Sequence, residues 1–165
     1  MLFSRATAPQ PSFNHPPVLL AMRGYRAVDA DGDGLPEVVT VPLDIATGLD
    51  SGQDWVWRED RIEALLFAAA TGVFFLAGCA PNQGNLYPRF DHIVLLTAPA
   101  AVIVERLATR TNNPYGKRPE EITRTLAMRR TIEPLLRRDA TAEIDSSVPL
   151  DAVVTRILRI VGEAA

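Results

Sequence analysis

A chain of 165 residues, 47% of them apolar and 22% charged, fits one globular domain large enough to bury most of its apolar surface. The net charge of -3 gives no bulk electrostatic attraction to nucleic acid, and a lone cysteine, Cys79, excludes an intrachain disulfide. No stretch reaches the roughly 20 apolar residues of a membrane span, and no secretory apolar core opens the chain, so a cytoplasmic protein without a membrane partner is expected.

Residues 1–17 carry Pro9, Pro11, Pro16 and Pro17 without periodicity and read as an irregular arm, leaving 18–165 as one domain. Residues 18–22 are the last turns of a helix stopped by Gly24, and 25–28 a short strand. The strand runs into DADGDG, where Asp29, Asp31 and Asp33 imitate a calcium loop. An EF-hand starting at Asp29 needs a bidentate carboxylate at its twelfth position, and Thr40 stands there. The segment also resembles the calcium-loop repeats of FG-GAP propellers, which occur in arrays, whereas this chain has a single copy. A polar Asp/Gly turn is the favoured reading, with structural calcium behind it.

Residues 38–43, interrupted by Pro42, suggest an edge strand, and 46–53 a flexible approach. Asp54 is expected to cap a helix whose apolar face carries Trp55, Ile62, Leu65 and Leu66 and which ends near Gly72. Trp57 and Arg58 at its start suit a planar or anionic ligand, or else a core Trp beside a surface Arg. Residues 73–78, VFFLAG, are the candidate for a central strand covered on both faces. Asn82 and Gln83 follow just past its carboxyl end, where open parallel sheets bind ligands.

A second buried strand spans 92–97, and a helix follows with Val102, Ile103, Leu107 and Ala108 inward and Glu105, Arg106 and Arg110 on or beside the other face. The next loop is basic and polar, with Arg110, Asn112, Asn113, Tyr115, Gly116, Lys117 and Arg118. Such cations suit an anion clamp, although a solvated surface loop has the same composition. Residues 120–138 form a long amphipathic helix with Ile122, Leu126, Ile132, Leu135 and Leu136 inward and a bend at Pro134. A strand over 142–144, a loop over 145–148 and a closing helix started by Pro149, with Val153, Val154, Ile157, Leu158 and Val161 inward, complete the chain. The alternation predicts the α/β class, a parallel sheet flanked by helices. Cys79 reads as a buried small hydrophobe, and His15 and His92 lack partners at zinc-ligand spacing.

In this order, AMRGYRAVDADGDG, DWVWREDRIEALL, FFLAGCAPNQGNLYPRFDHIVLLTAP, ERLATRTNNPYGK and ATAEIDSSVPLDAVV resemble the small P-loop kinases of the adenylate, shikimate and gluconate kinase type. They resemble more closely a group of bacterial proteins described as AAA-type or ATP-binding. The resemblance covers about residues 18–163. It implies ATP and magnesium as cofactors and a small-molecule phosphate acceptor. Under it, Asp29 and Asp31 serve the acceptor or, for Asp31, magnesium; Trp57, Arg58, Asn82 and Gln83 line the acceptor side. Arg106 and Arg110, with Asn113, Tyr115 and Lys117, belong to a lid over about 110–121, and Asp145, Ser146, Ser147 and Pro149 contact adenine.

The chain departs from that family where it matters most. The motif GxxxxGK followed by Ser or Thr, whose backbone cradles phosphates, is absent, and the proline-rich arm stands in its place without Gly or Lys. Either the chain is a degenerate relative, or its start departs from the functional gene product through a reading-frame change. The expectation is a kinase-like protein with phosphotransfer weak or lost, and it requires Asp31, Asn82 and Arg110 to line one cleft. The rival is a non-catalytic ligand-binding or regulatory protein that uses the remaining acceptor cleft, or the edge bared by the missing strand, to hold a small ligand or partner, the bared apolar surface favouring self-association.

Overall fold

A computed structural model describes residues 16–32, 34–41, 52–69, 72–111 and 115–163. Helix α1 (Pro16–Met22) begins with prolines, whose missing N–H groups are harmless in a first turn, and Gly24 at φ 87° reverses the chain into β1 (Arg26–Asp29). Strands β2 (Pro36–Thr40) and β3 (Gln53–Trp57) pair antiparallel, with Pro36 opposite Trp57 and Thr40 opposite Gln53. Helix α2 (Glu59–Ala68) and β4 (Phe74–Ala77) follow, and β4 pairs parallel with β1. After a 3-10 turn over Gln83–Arg89 come β5 (Val94–Thr97), α3 (Ala100–Thr109), α4 (Pro119–Asp139), β6 (Ala142–Asp145) and α5 (Leu150–Ile160), with β6 parallel to β5.

The mixed α/β class is as expected, but the sheet is not one sheet. The described strands form two parallel pairs, β1–β4 and β5–β6, and one antiparallel ribbon. Residues 73–78 are covered on both faces, but β4 is not central: among the described strands it bonds to β1 alone, and its four side chains are half-buried. Pleat alternation explains what each pair buries. Ala27 and Phe75 face α1 and α5, meeting Leu20, Val154 and Leu158, while Val28 and Leu76 face the opposite core of Ala30, Leu35, Trp57, Ile62 and Leu86. Val94 and Leu96 pack with Ile144, Val153 and Ile157 of β6 and α5, and Phe75 joins that cluster as well. Thus α5 and one phenylalanine couple the two parallel pairs.

The second correction concerns residues 53–57. Asp54 is not a helix cap; it lies 2% exposed inside β3, where its Oδ1 accepts the Trp55 N–H at 2.8 Å. The aromatic and β-branched run Trp55, Val56 and Trp57 finds a full set of partners in β2, and that pairing outweighs the helical reading of the segment. Trp57 thus ends a strand, and Arg58 is the N-cap residue of α2, followed by Glu59 and Asp60, whose charges suit the positive end of the helix. The long α4 is continuous through Pro134; Leu136 is buried, but Leu135, expected inward, is 51% exposed, and Ala108 on α3 also faces solvent. Pro42 and Leu43, residues 46–51 and most of the arm lie outside the described residues.

Candidate functional site

Parallel strands release their chain at one edge of the sheet, and side chains just past two neighbouring carboxyl ends are brought together by backbone alone. Here β1 releases Asp31 and β4 releases Gly78, Cys79 and Asn82. The Asp31 carboxylate accepts the Trp57 indole Nε1–H at 3.1 Å and the Cys79 N–H at 3.1 and 3.2 Å, tying both strand ends to β3. Asp29 is turned back, its Oδ1 accepting the Asp31 N–H at 3.1 Å. Gly78, at φ 149°, makes the convergence possible: a Cβ there would lie 2.7 Å from Asp31 Oδ1 and 2.8 Å from the Trp57 ring. Cys79 is half-buried rather than buried.

Asn82 closes the site from the other side. Arg58 N–H donates to Leu35 O, so Trp57 turns its own N–H and C=O toward the outer edge of the ribbon. There the Asn82 amide pairs with both, Oδ1 accepting at 2.9 Å and Nδ2 donating at 2.9 Å, much as a further strand would. Asn82 Nδ2 also donates to Glu59 Oε1, which accepts from Asn85 Nδ2 as well, each at 2.8 Å. Gln83 is buried and satisfied locally, accepting from Ala80 N–H and donating to the Tyr87 hydroxyl at 2.9 Å. Arg58 points elsewhere, 3.8 Å from Glu37 on β2.

The basic segment after β5 is built on another plan. Lys117 Nζ donates to Leu107 O, Ala108 O and Arg110 O at 2.9, 2.7 and 2.6 Å, so its charge caps the carboxyl end of α3. Arg110 Nη2 donates to Tyr115 O at 2.7 Å, and burial holds its guanidinium below the ordinary value. The N–H groups of Gly116, Lys117 and Arg118 converge on Glu121 Oε2 at 2.7, 3.2 and 3.4 Å. Burial pushes the Glu121 carboxyl up, but those bonds and the Arg118 charge together leave it below the usual carboxylate range. Asn113 lies outside the described residues.

Arg106 donates to both the hydroxyl and the carbonyl oxygen of Ser146. Ser146 is buried and gives its N–H and Oγ–H to Thr97 O, at 2.7 and 2.8 Å. Asp145 accepts the Ser147 N–H at 2.8 Å, and this bond chiefly lowers its carboxyl. Pro149 is the N-cap residue of α5.

The structure thus brings Asp31, Trp57 and Asn82 into one cluster and Arg106, Asp145, Ser146 and Ser147 into another. Arg110 is engaged at Tyr115 O, whereas Asp31 and Asn82 are joined through Trp57. Sequence reasoning missed Glu59 and Gly78. The glycine directly after an apolar strand run was the available signal for a close approach.

An oxygen of Asp29 and one of Asp31 are aimed at N–H donors, and no group of three His, Cys, Asp or Glu gathers among the described residues, Asp33 lying outside them. No described helix is long and apolar enough to cross a membrane. The chain matches no family model, and neither curated proteins nor solved structures give a significant match.

Proposed function

We propose that this chain is a small-molecule-binding α/β protein of the small P-loop kinase type that keeps the acceptor-side residues Asp31 and Asn82 together, with Arg110 engaged at Tyr115 O, and has weak or no phosphotransfer. The observation that carries the reading is the convergence of Asp31, Trp57 and Asn82 at the carboxyl ends of β1 and β4. A carboxylate held by the buried Trp57 indole, with an amide side chain on the same strand end, suits a small polar molecule bearing hydroxyl or amino donors.

Phosphate chemistry has less to support it. Without a glycine-rich backbone nest, ATP would depend on Arg106, Arg110 and Lys117, and each is engaged with protein oxygens that a phosphate would have to displace. Among the described residues, the exposed large apolar side chains Met22, Val38, Phe67 and Leu135, on four different elements, are the surface available to the self-association reading.

The test is a titration of the 165-residue chain with magnesium-ATP and, separately, with polyols, sugar acids and nucleoside monophosphates, following melting temperature and heat. A ligand of the folded state must raise the melting temperature. The expected result is a shift with one acceptor class, lost in Asp31→Asn, and no saturation by ATP in the micromolar range. Saturable micromolar ATP binding would overturn the loss of phosphotransfer, and no shift with any acceptor class would overturn the small-molecule reading.

A further inference from the structure

A second concavity lies between the start of α3 and α4. It encloses about 240 Å³ and is lined by Ala100, Leu126, Pro134 and the arginines 129, 130 and 137, with Glu133 the sole carboxylate in its wall. The chain as a whole is acidic, so three guanidinium groups around one cavity are a local excess of positive charge.

Their geometry is prepared rather than loose. Glu133 accepts from Arg129 Nε and from Arg137 Nη2, the latter at 2.8 Å, and Glu143 on β6 accepts from Arg137 Nε and Nη2 at 2.8 and 2.9 Å. These bonds hold two guanidinium planes in place and leave donors over. A guanidinium has five N–H donors, and Arg129 spends Nε alone, while Arg137 spends Nε and Nη2. Among the described residues, Arg130 makes no hydrogen bond or ion pair, so within them its charge has no carboxylate partner. On the remaining wall, Ala100, Leu126 and Pro134 are small or apolar.

We propose that this cavity is a binding site for a compact doubly charged oxyanion, a phosphate group either free or carried on a small molecule. Arg129 and Arg137 supply fixed donors, and Arg130 closes on the anion from the open side. The site is separate from the Asp31–Trp57–Asn82 cluster and does not depend on the reading of that cluster.

The experiment is calorimetric titration of the full chain with sodium phosphate and with a sugar phosphate at constant ionic strength, against sodium chloride. Saturable heat is expected with phosphate. Arg130→Gln should weaken it about five-fold, as loss of one exposed charge-assisted contact would. Arg89→Gln, the same charge change at a surface pair with Glu63, should leave it unaltered. Ala100→Asp places a carboxylate in the wall at a helix start, where such a residue is compatible with folding, and should abolish the binding. Tighter binding of the sugar phosphate would assign a phosphorylated metabolite, and equal binding the free ion. No saturable heat, or heat that Arg130→Gln leaves unchanged, would overturn the site.

Discussion

At the carboxyl ends of β1 and β4 the polar side chains reach across the chain, whereas after β5 most of them fold back on their own surroundings. Trp57 meets Asp31 and Asn82 across 26 and 25 positions, and Cys79 meets Asp31 across 48. Lys117 caps carbonyls 7 to 10 positions away, and Glu121 holds amides 3 to 5 positions away. The first kind of contact locks separate elements together and disappears if either moves; the second shapes one loop and survives as long as its helix does. This contrast makes the β1–β4 edge, where Asp31, Trp57 and Asn82 bind one another, the more rigidly held of the two regions. Exceptions are Arg106, reaching 40 positions to Ser146, Ser146 itself, reaching 49 to Thr97, and Thr141, reaching 48 to Ile93; they fasten α3, β5 and the β6 loop together.

The strongest way to break the contrast is Gly78→Ala. The positive φ and the 2.7 Å approach to Asp31 leave no room for a methyl group, so strain and displacement together should cost about 2–4 kcal/mol. Chemical denaturation would measure the loss, and Trp57 fluorescence would report the opened cluster. A variant as stable as the parent, with unchanged fluorescence, would show that the cluster is not held as described.

Acid should separate the two regions. Glu121, Glu133, Glu143 and Asp145 all have carboxyls held below their ordinary values, all in or after the α3–α4 loop. For Glu133, burial pushes upward but the bonds from Arg129 and Arg137 outweigh it. A depressed folded value means that the unfolded chain takes protons more readily. Their stabilisation is therefore complete above the usual carboxylate range, about pH 4–4.5, and is lost as pH falls through the folded values. Hydrogen exchange should show the amides of Gly116, Lys117 and Arg118 losing protection as the pH falls below about 4. The Trp57 amide, held by the side-chain amide of Asn82, which does not titrate, should keep it longer. Simultaneous loss at both places would remove the distinction.

The smallest expected effect sharpens the comparison from the cationic side. Lys117→Met keeps the stem and removes the charge that caps α3, and should cost about 0.5–1 kcal/mol with local fraying. If Lys117 instead served a bound anion, its removal would leave stability unchanged and weaken phosphate binding.

How much of this was legible before the coordinates can be judged from single segments. The helices α3 and α5 follow from apolar spacing, and Gly24 marks the end of α1 by the conformation only glycine adopts readily. Residues 53–57 were misread because a capping aspartate before an aromatic run is also the start of a strand, and only pairing with β2 decides between them. The inward assignment of Leu135 failed for a related reason: a neighbour of a buried position on a helix lies about 100° away around the axis, and its burial depends on what packs there. Asp31, Trp57 and Asn82 were each visible as residues worth naming.

What the sequence by itself determined is local: where apolar period and turn chemistry start and stop helices and strands, and which polar residues follow the strand ends. What tertiary structure decided is which donors are already engaged. Lys117 and Arg110 have the composition of an anion clamp, yet their hydrogen bonds go to backbone carbonyls that the folding of α3 and its loop carries to them. Composition lists the donors a chain possesses; a hydrogen bond also needs an acceptor within about 3 Å and in line, and for Asp31, Trp57 and Asn82 that condition is met only once two parallel strands and a ribbon have been brought edge to edge.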